Sequence, residues 1–239
     1  MMGAVFPRPA DPAFVRELFA AFRGLVRAGK DGPHADGVGL VAAPRGRLEH
    51  LLRSPRPADE AASGFDVAVA GFAAERPTGA MLAHLRAASA GNVRLENTHP
   101  FVTNGWAFCH NGTVYGDLAP PAGYACAGDT DSERFFLHLL ARLRTGESPE
   151  HAIEHGVRDF VVGRTYSSTT LLMTDGRSLY AYRDATKEPE YYTLFTARGP
   201  RGATFVTQEP LPGLVDLREV PNKGLVIVAP DGSVRVREA

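Results

Sequence analysis

The stretch from His84 to Glu133 reads HLRAASAGNVRLENTHPFVTNGWAFCHNGTVYGDLAPPAGYACAGDTDSE, and the rest of the chain is arranged around it. Three chemically distinct features stand along it: Arg86 in a strand pattern, Asn111-Gly112 at a turn signal, and Asp131 opening a helix pattern. A long cation pairs with an α-carboxylate, and a carboxylate pairs with an α-ammonium. A neutral amide beside a backbone N–H can stabilise a developing oxyanion. Together these residue types form the complement of a free amino acid.

Each feature also has a purely structural reading. From Met81 to Ala87, alternation puts Leu82, His84 and Arg86 on one strand face and Met81, Ala83 and Leu85 on the other. A face carrying His and Arg either meets solvent or lines a polar cavity, and the period alone favours solvent. Phe101 to Tyr115 reads as strand, Asn111-Gly112 turn, strand, because both turn residues accept positive φ. Asp129 and Asp131 read by default as capping acids of a helix whose buried stripe is Phe135, Phe136, Leu139, Leu140 and Leu143.

Outward from this stretch, Gly3 to Phe6 reads as a terminal strand ended by Pro7. Asp11-Pro12 starts an amphipathic helix over 12–28, with Phe14, Val15, Leu18, Phe19, Phe22, Leu25 and Val26 at helical spacing. His34-Ala-Asp-Gly-Val-Gly39 suits a tight strand entry where backbones approach closely, and lacks the spacing and the Lys-Ser/Thr of a P-loop. Residues 45–63 are polar, anchored by Leu48, Leu51 and Leu52, and Val67 to Gly71 resembles a buried strand. A second helix is expected over 148–158. The last third reads as strands at 169–173, 179–182, 191–196, 203–207, 225–229 and 234–236, with Asp175-Gly176 and Asp231-Gly232 as turns. The simplest architecture is one α+β domain over 1–239, with sheet packed on sheet.

Composition narrows the function classes. The chain has 239 residues, 44% of them hydrophobic and 22% charged, which is ordinary for a protein with a sizeable core. Its 26 basic and 27 acidic residues leave a net charge of −1, so no nucleic-acid partner is expected. Cys109 and Cys126 are too few for a metal site of their own or a disulfide framework. No signal-peptide pattern or apolar span is present, so the expectation is a cytoplasmic protein that needs no membrane, metal or cofactor.

His84-Leu-Arg86-Ala-Ala-Ser89, Asn97-Thr-His99-Pro-Phe101, Phe108-Cys-His110-Asn-Gly112 and Gly128-Asp-Thr-Asp-Ser-Glu133 occur in the order and at the distances of class II glutamine amidotransferases. His34-Ala-Asp-Gly-Val-Gly39 resembles that family's His-x-Asp-Gly-x-Gly element, with Val38 where an aromatic is common. Val206-Thr-Gln-Glu-Pro-Leu211 is similar to its late strand. The nearest look-alikes are stand-alone members that begin Met-Cys.

The resemblance implies a four-layer αββα sandwich of the N-terminal-nucleophile hydrolase type. It also implies release of ammonia from glutamine or a γ-glutamyl amide through a thioester. Carried over by position, Arg86 would bind the substrate α-carboxylate and Asp131 its α-ammonium. The Asn111 side chain and Gly112 N–H would form the oxyanion hole. The ammonia acceptor would then belong to a synthase partner chain, or the protein would be a plain amidohydrolase.

One departure stands out. Gly3-Ala-Val-Phe6 aligns with the residues just after the family's nucleophilic cysteine, so Met2 occupies the nucleophile's position. A thioether has no ionisable proton and cannot form the thioester. The chain is therefore either an amidotransferase disarmed at one residue or a pseudoenzyme that binds glutamine or a γ-glutamyl compound and regulates a synthase. A fold kept for structure alone is the third reading, and the retained Arg86, Asn111, Gly112 and Asp131 count against it.

Overall fold

The computed structural model describes residues 1–27, 32–44 and 46–238. Helix α1 (Pro12–Gly24) starts where Asp11 Oδ1 accepts from the N–H groups of Ala13 at 2.8 Å and Phe14 at 3.4 Å. Pro12 sits in the first turn, where its missing N–H costs nothing. The helix buries Val15, Leu18, Phe19 and Phe22, then tightens to a 3-10 turn over Leu25–Arg27; position 28 of the expected helix lies outside the described residues.

Helix α2 (Ala62–Ala74) replaces the strand expected around Val67 to Gly71. Its buried residues, Phe65, Val69, Phe72 and Ala73, have helical spacing, while Val67 is 73% exposed. Alanine and valine on the outer face hid that period, and a short apolar run read alone does not distinguish strand from buried helix. Helix α3 (Asp131–Arg144) is capped by Thr130, whose hydroxyl accepts from Glu133 N–H at 3.2 Å. Helix α4 (Pro149–Val161) is capped by Ser148.

The strands are β1 (Met2–Phe6), β2 (Val38–Ala42), β3 (Glu49–Ser54), β4 (Gly79–Leu85), β5 (Phe101–Thr103), β6 (Trp106–Asn111), β7 (Thr170–Thr174), β8 (Leu179–Arg183), β9 (Phe195–Arg198), β10 (Thr204–Thr207), β11 (Val215–Glu219), β12 (Gly224–Val228) and β13 (Val234–Glu238). They form two antiparallel sheets, in the orders β11-β9-β10-β1-β4-β2-β3 and β13-β12-β8-β7-β6-β5. β11 was not anticipated: it is a short edge strand whose residues are all exposed, and the alternation of Val215 and Leu217 with Asp216 and Arg218 spans only four residues. The expected strand over 191–196 begins only at Phe195, and Tyr191 and Tyr192 lie in the preceding turn.

Three apolar clusters among the described residues define the layers. Met2, Ala4 and Phe6 of β1 pack with α1 and α2 on the outer face of the first sheet. Val5, Leu82, Cys109, Leu172 and Val226 fill the space between the sheets. Phe108, Leu171 and Tyr182 meet Phe135, Phe136, Ile153 and Phe160 of α3 and α4 on the outer face of the second. The order is α, β, β, α, which is the expected sandwich.

The 101–115 segment differs from its expected form. The hairpin turn between β5 and β6 is Asn104-Gly105, with φ of 51° and 77°, whereas Asn111-Gly112 ends β6. Two Asn-Gly pairs lie seven positions apart, and turn propensity alone cannot choose between them. The anticipated close approach at Gly39 is present, since a Cβ there would lie 2.2 Å from the His99 carbonyl oxygen.

Replacing Gly39 by alanine is expected to destabilise the protein by about 1–3 kcal/mol, because the obstructing atom is backbone. Gly24→Ala at the end of α1, with nothing within 4 Å, should be neutral or stabilising by up to about 1 kcal/mol. Urea titrations of both variants check the pair, and equal midpoints would refute the reading of Gly39.

Candidate functional site

A cavity of about 430 Å³ opens at the end of the sandwich where β1 begins and β4 and β6 finish, and Arg86, Asn111, Gly112 and Asp131 all line it. The polar face of β4 therefore meets a cavity and not bulk solvent: His84 is 6% exposed and Arg86 3%.

Arg86 follows β4 directly. Its N–H donates to the Gly37 carbonyl at 2.8 Å and its carbonyl accepts from Asp36 N–H at 2.9 Å. Its guanidinium donates to the carbonyls of Ala90 at 3.0 Å and of Asp36 and Asn92 at 3.4 Å. Burial pulls the guanidinium pKa down, and the charges of Asp36, Asp129 and Asp131 oppose that shift. The two long bonds are weak, so this planar cation keeps donor capacity for a carboxylate.

Asp131 is the first residue of α3, and its Oδ2 accepts from Val114 N–H at 2.8 Å. The cap role falls to Thr130, which leaves the other Asp131 oxygen outside the helix's own bonding. Asp129 instead braces the 92–97 loop, accepting from the side-chain amides of Asn97 at 2.5 Å and Asn92 at 3.0 Å. Its pKa is lowered, chiefly by the Asn97 bond.

Gly112 has φ of 145°, and a Cβ there would lie 2.0 Å from the Ser168 carbonyl oxygen. Only glycine fits. Beside it, Asn111 Nδ2 donates to Gln208 Oε1 at 3.1 Å, and the same oxygen accepts from the Met1 α-amine at 3.2 Å. Gln208 N–H donates in turn to the Met1 carbonyl at 3.2 Å. Gln208 thus links β1, β6 and the end of β10, a role that the Val206 to Leu211 similarity located by segment but not by residue.

His110 was also missed as a site-building residue. Its Nε2–H donates to the Ser168 carbonyl at 3.1 Å, so Nδ1 accepts from Ser132 O–H at 2.9 Å. Burial lowers the imidazole pKa, with Asp131 and the Ser168 bond opposing. Burial favours the neutral ring, which donates through one nitrogen and accepts through the other.

Position 2 behaves differently. Alternation along β1 turns the Met2 side chain, fully buried, into the cluster beneath α1 and α2, opposite Thr207 and Ala83. Met1 lines the cavity, and burial draws its α-amine pKa down to about 6. Cys109 is wholly buried between the sheets, where burial raises its thiol pKa, and Cys126 packs at the edge of the α3–α4 cluster. Neither cysteine is among the described residues lining the cavity, and none of the described residues form a group of three or more His, Cys, Asp or Glu that could hold a metal ion. Among its described lining residues the cavity offers a cation, carboxylates and a side-chain amide beside a glycine, and no thiol.

Comparison with known proteins agrees with this architecture. The family model for class-II glutamine amidotransferases matches residues 2–230. The Escherichia coli K12 protein YafJ is 28% identical over 226 residues, covering 89% of this chain and 84% of its own. A solved glutamine aminotransferase class-II domain protein from Silicibacter pomeroyi superposes with a TM-score of 0.64 at 20% identity, over 99% of this chain and 98% of that one. The phosphoribosylpyrophosphate amidotransferase of B. subtilis superposes with a TM-score of 0.65 at 16% identity, and there the match spans 48% of the longer chain. Among the described residues no helix is long and apolar enough to cross a membrane. The chain belongs to the class-II glutamine amidotransferase family.

Proposed function

We propose that this protein binds glutamine or a γ-glutamyl amide in the cavity and, with methionine at position 2, does not hydrolyse it. The convergence of Arg86, Asn111, Gly112 and Asp131 on one cavity carries the proposal. Arg86 takes the α-carboxylate and Asp131 the α-ammonium, so the side-chain amide extends toward the start of β1. There the Asn111 amide and the Gly112 N–H face the γ-carbonyl oxygen. In a chain with cysteine at position 2, the thiolate attacks the γ-carbon, ammonia leaves, and water releases glutamate from the thioester. Met2 supplies neither the proton nor the nucleophile for the first step.

The role left for an occupied, unreactive pocket is ligand sensing, or regulation of a synthase partner that would consume ammonia. A cytoplasmic setting suits both.

Calorimetry on the unaltered protein should detect glutamine binding, and Arg86→Ala or Asp131→Asn should weaken it by about 2–5 kcal/mol, the cost of truncating one partner of a buried charge pair. No heat with glutamine or a γ-glutamyl amide would refute the ligand assignment. The reaction is tested separately by Met2→Cys with residue 1 removed, the new terminus confirmed by mass spectrometry. That variant should release ammonia from glutamine, and adding Asn111→Ala should lower kcat by about 10²–10³, the usual effect of losing one oxyanion donor. A Met2→Cys protein that binds glutamine but releases no ammonia would show that the scaffold has lost more than its nucleophile.

A further inference from the structure

Two histidines lining the cavity carry ring nitrogens with no hydrogen-bond partner among the described residues. His84 and His99 are buried, their rings stack with centroids 4.6 Å apart, and both line the cavity. Among the described residues, His84 Nδ1 and both nitrogens of His99 find no hydrogen-bond partner, and neither does Nδ1 of nearby His34. Each unpaired buried polar group costs about 1–3 kcal/mol, so such a cluster is completed by something that enters the cavity.

The charges around the pair identify the missing group. His84 feels His99, the Met1 α-amine, His34 and Arg86, all of which disfavour its protonation. His99 feels His110 from β6, Arg86, Arg53 from β3 and the same α-amine, again all basic. His50 of β3 faces the neighbouring Pro100, with its Nε2 2.9 Å from that carbonyl oxygen. Carboxylates do line the cavity, but Asp36 is engaged with Ala88 N–H, Asp131 with Val114 N–H, and Glu209 acts on the Met1 amine. None of them acts on the two rings. A burial-neutralised imidazole pair in a basic surround lacks an anion.

Arg86 and His84 share a strand face two residues apart, about 7 Å along the strand. Four extended C–C bonds separate the two carboxyl carbons of glutamate by about 5 Å. An α-amino dicarboxylate of that length can therefore reach from Arg86 to the imidazoles. We propose that the cavity is a glutamate site, in which Arg86 and Asp131 hold the α-groups and the His84–His99 pair takes the side-chain carboxylate. The proposal rests on the α-group clamp of Arg86 and Asp131 and changes the group that fills its far end.

Proton linkage is the signature. Both rings are neutral in the free protein at pH 7, because burial first, and then the neighbouring cations, hold their pKa values well below 6.5. A carboxylate set against them raises the pKa of the pair, so glutamate binds together with a proton. The short ring separation makes a second protonation unfavourable, which limits the uptake to one. Between the free and bound pKa values, affinity for glutamate falls about tenfold per unit rise in pH. Glutamine has no side-chain charge and takes up no such proton.

Calorimetry of the unaltered protein with L-glutamate and L-glutamine at pH 6 and pH 8, in buffers of different ionisation enthalpy, tests this. The expected result is uptake of about one proton with glutamate and a glutamate-to-glutamine affinity ratio that falls about tenfold per pH unit. His84→Gln and His99→Gln should abolish the uptake and flatten the ratio while still binding glutamine, which also reports that they fold. If a variant binds neither ligand, the proton uptake of the unaltered protein decides alone. Glutamine binding with a ratio independent of pH would overturn the glutamate assignment and leave the clamp intact. Absence of binding by both ligands would overturn the clamp as well.

Discussion

The buried ring of His110 is the joint on which this molecule's site depends. It leaves the end of β6, accepts from Ser132 in the first turn of α3, and donates to the Ser168 carbonyl ahead of β7. That same carbonyl lies against Gly112, close enough to exclude any side chain there. One neutral imidazole thus sets the spacing between the end of β6, which presents Asn111 and Gly112, and the helix end that presents Asp131. Buried polar networks of this kind specify a single arrangement only when every member is satisfied, and here both ring nitrogens are.

The remaining half of the site hangs from the other sheet. β4 delivers His84 and Arg86 side by side, and loop carbonyls from Asp36, Ala90 and Asn92 hold the guanidinium in place. Gln208 ties the two sheets together at the start of β1, joining Asn111 to Met1. The αββα sandwich therefore works as a clamp with one jaw on each sheet, and the cavity lies where β1 brings the jaws together. Position 2, where the resemblance would place a reactive thiol, carries an apolar side chain that completes the core under α1 and α2.

That substitution is coherent with its surroundings. Met2 is fully buried among Ala4, Leu40, Met81 and Ala83, in a cluster that tolerates a flexible thioether well. Burying it there supports the sheet and contributes nothing to acyl transfer. Beside it, Nδ1 of His84 and both ring nitrogens of His99 face the cavity without a hydrogen bond among the described residues.

Much was legible in the linear chain. Helical spacing in Phe135 to Leu143, the Asp11-Pro12 start, and the collinear His-x-Arg, His-Asn-Gly and Gly-Asp-Thr-Asp elements depend on local chemistry, which a linear string records. Local pattern failed where both faces of an element are apolar, as in α2, where an edge strand has no buried face, as in β11, and where two Asn-Gly pairs competed for one turn. Only the tertiary structure decided that the polar face of β4 lines a cavity, that Thr130 and not Asp131 caps α3, and that His84 and His99 stack on each other in that cavity. These outcomes arise from contacts between segments far apart in the chain, whose distances no periodicity encodes.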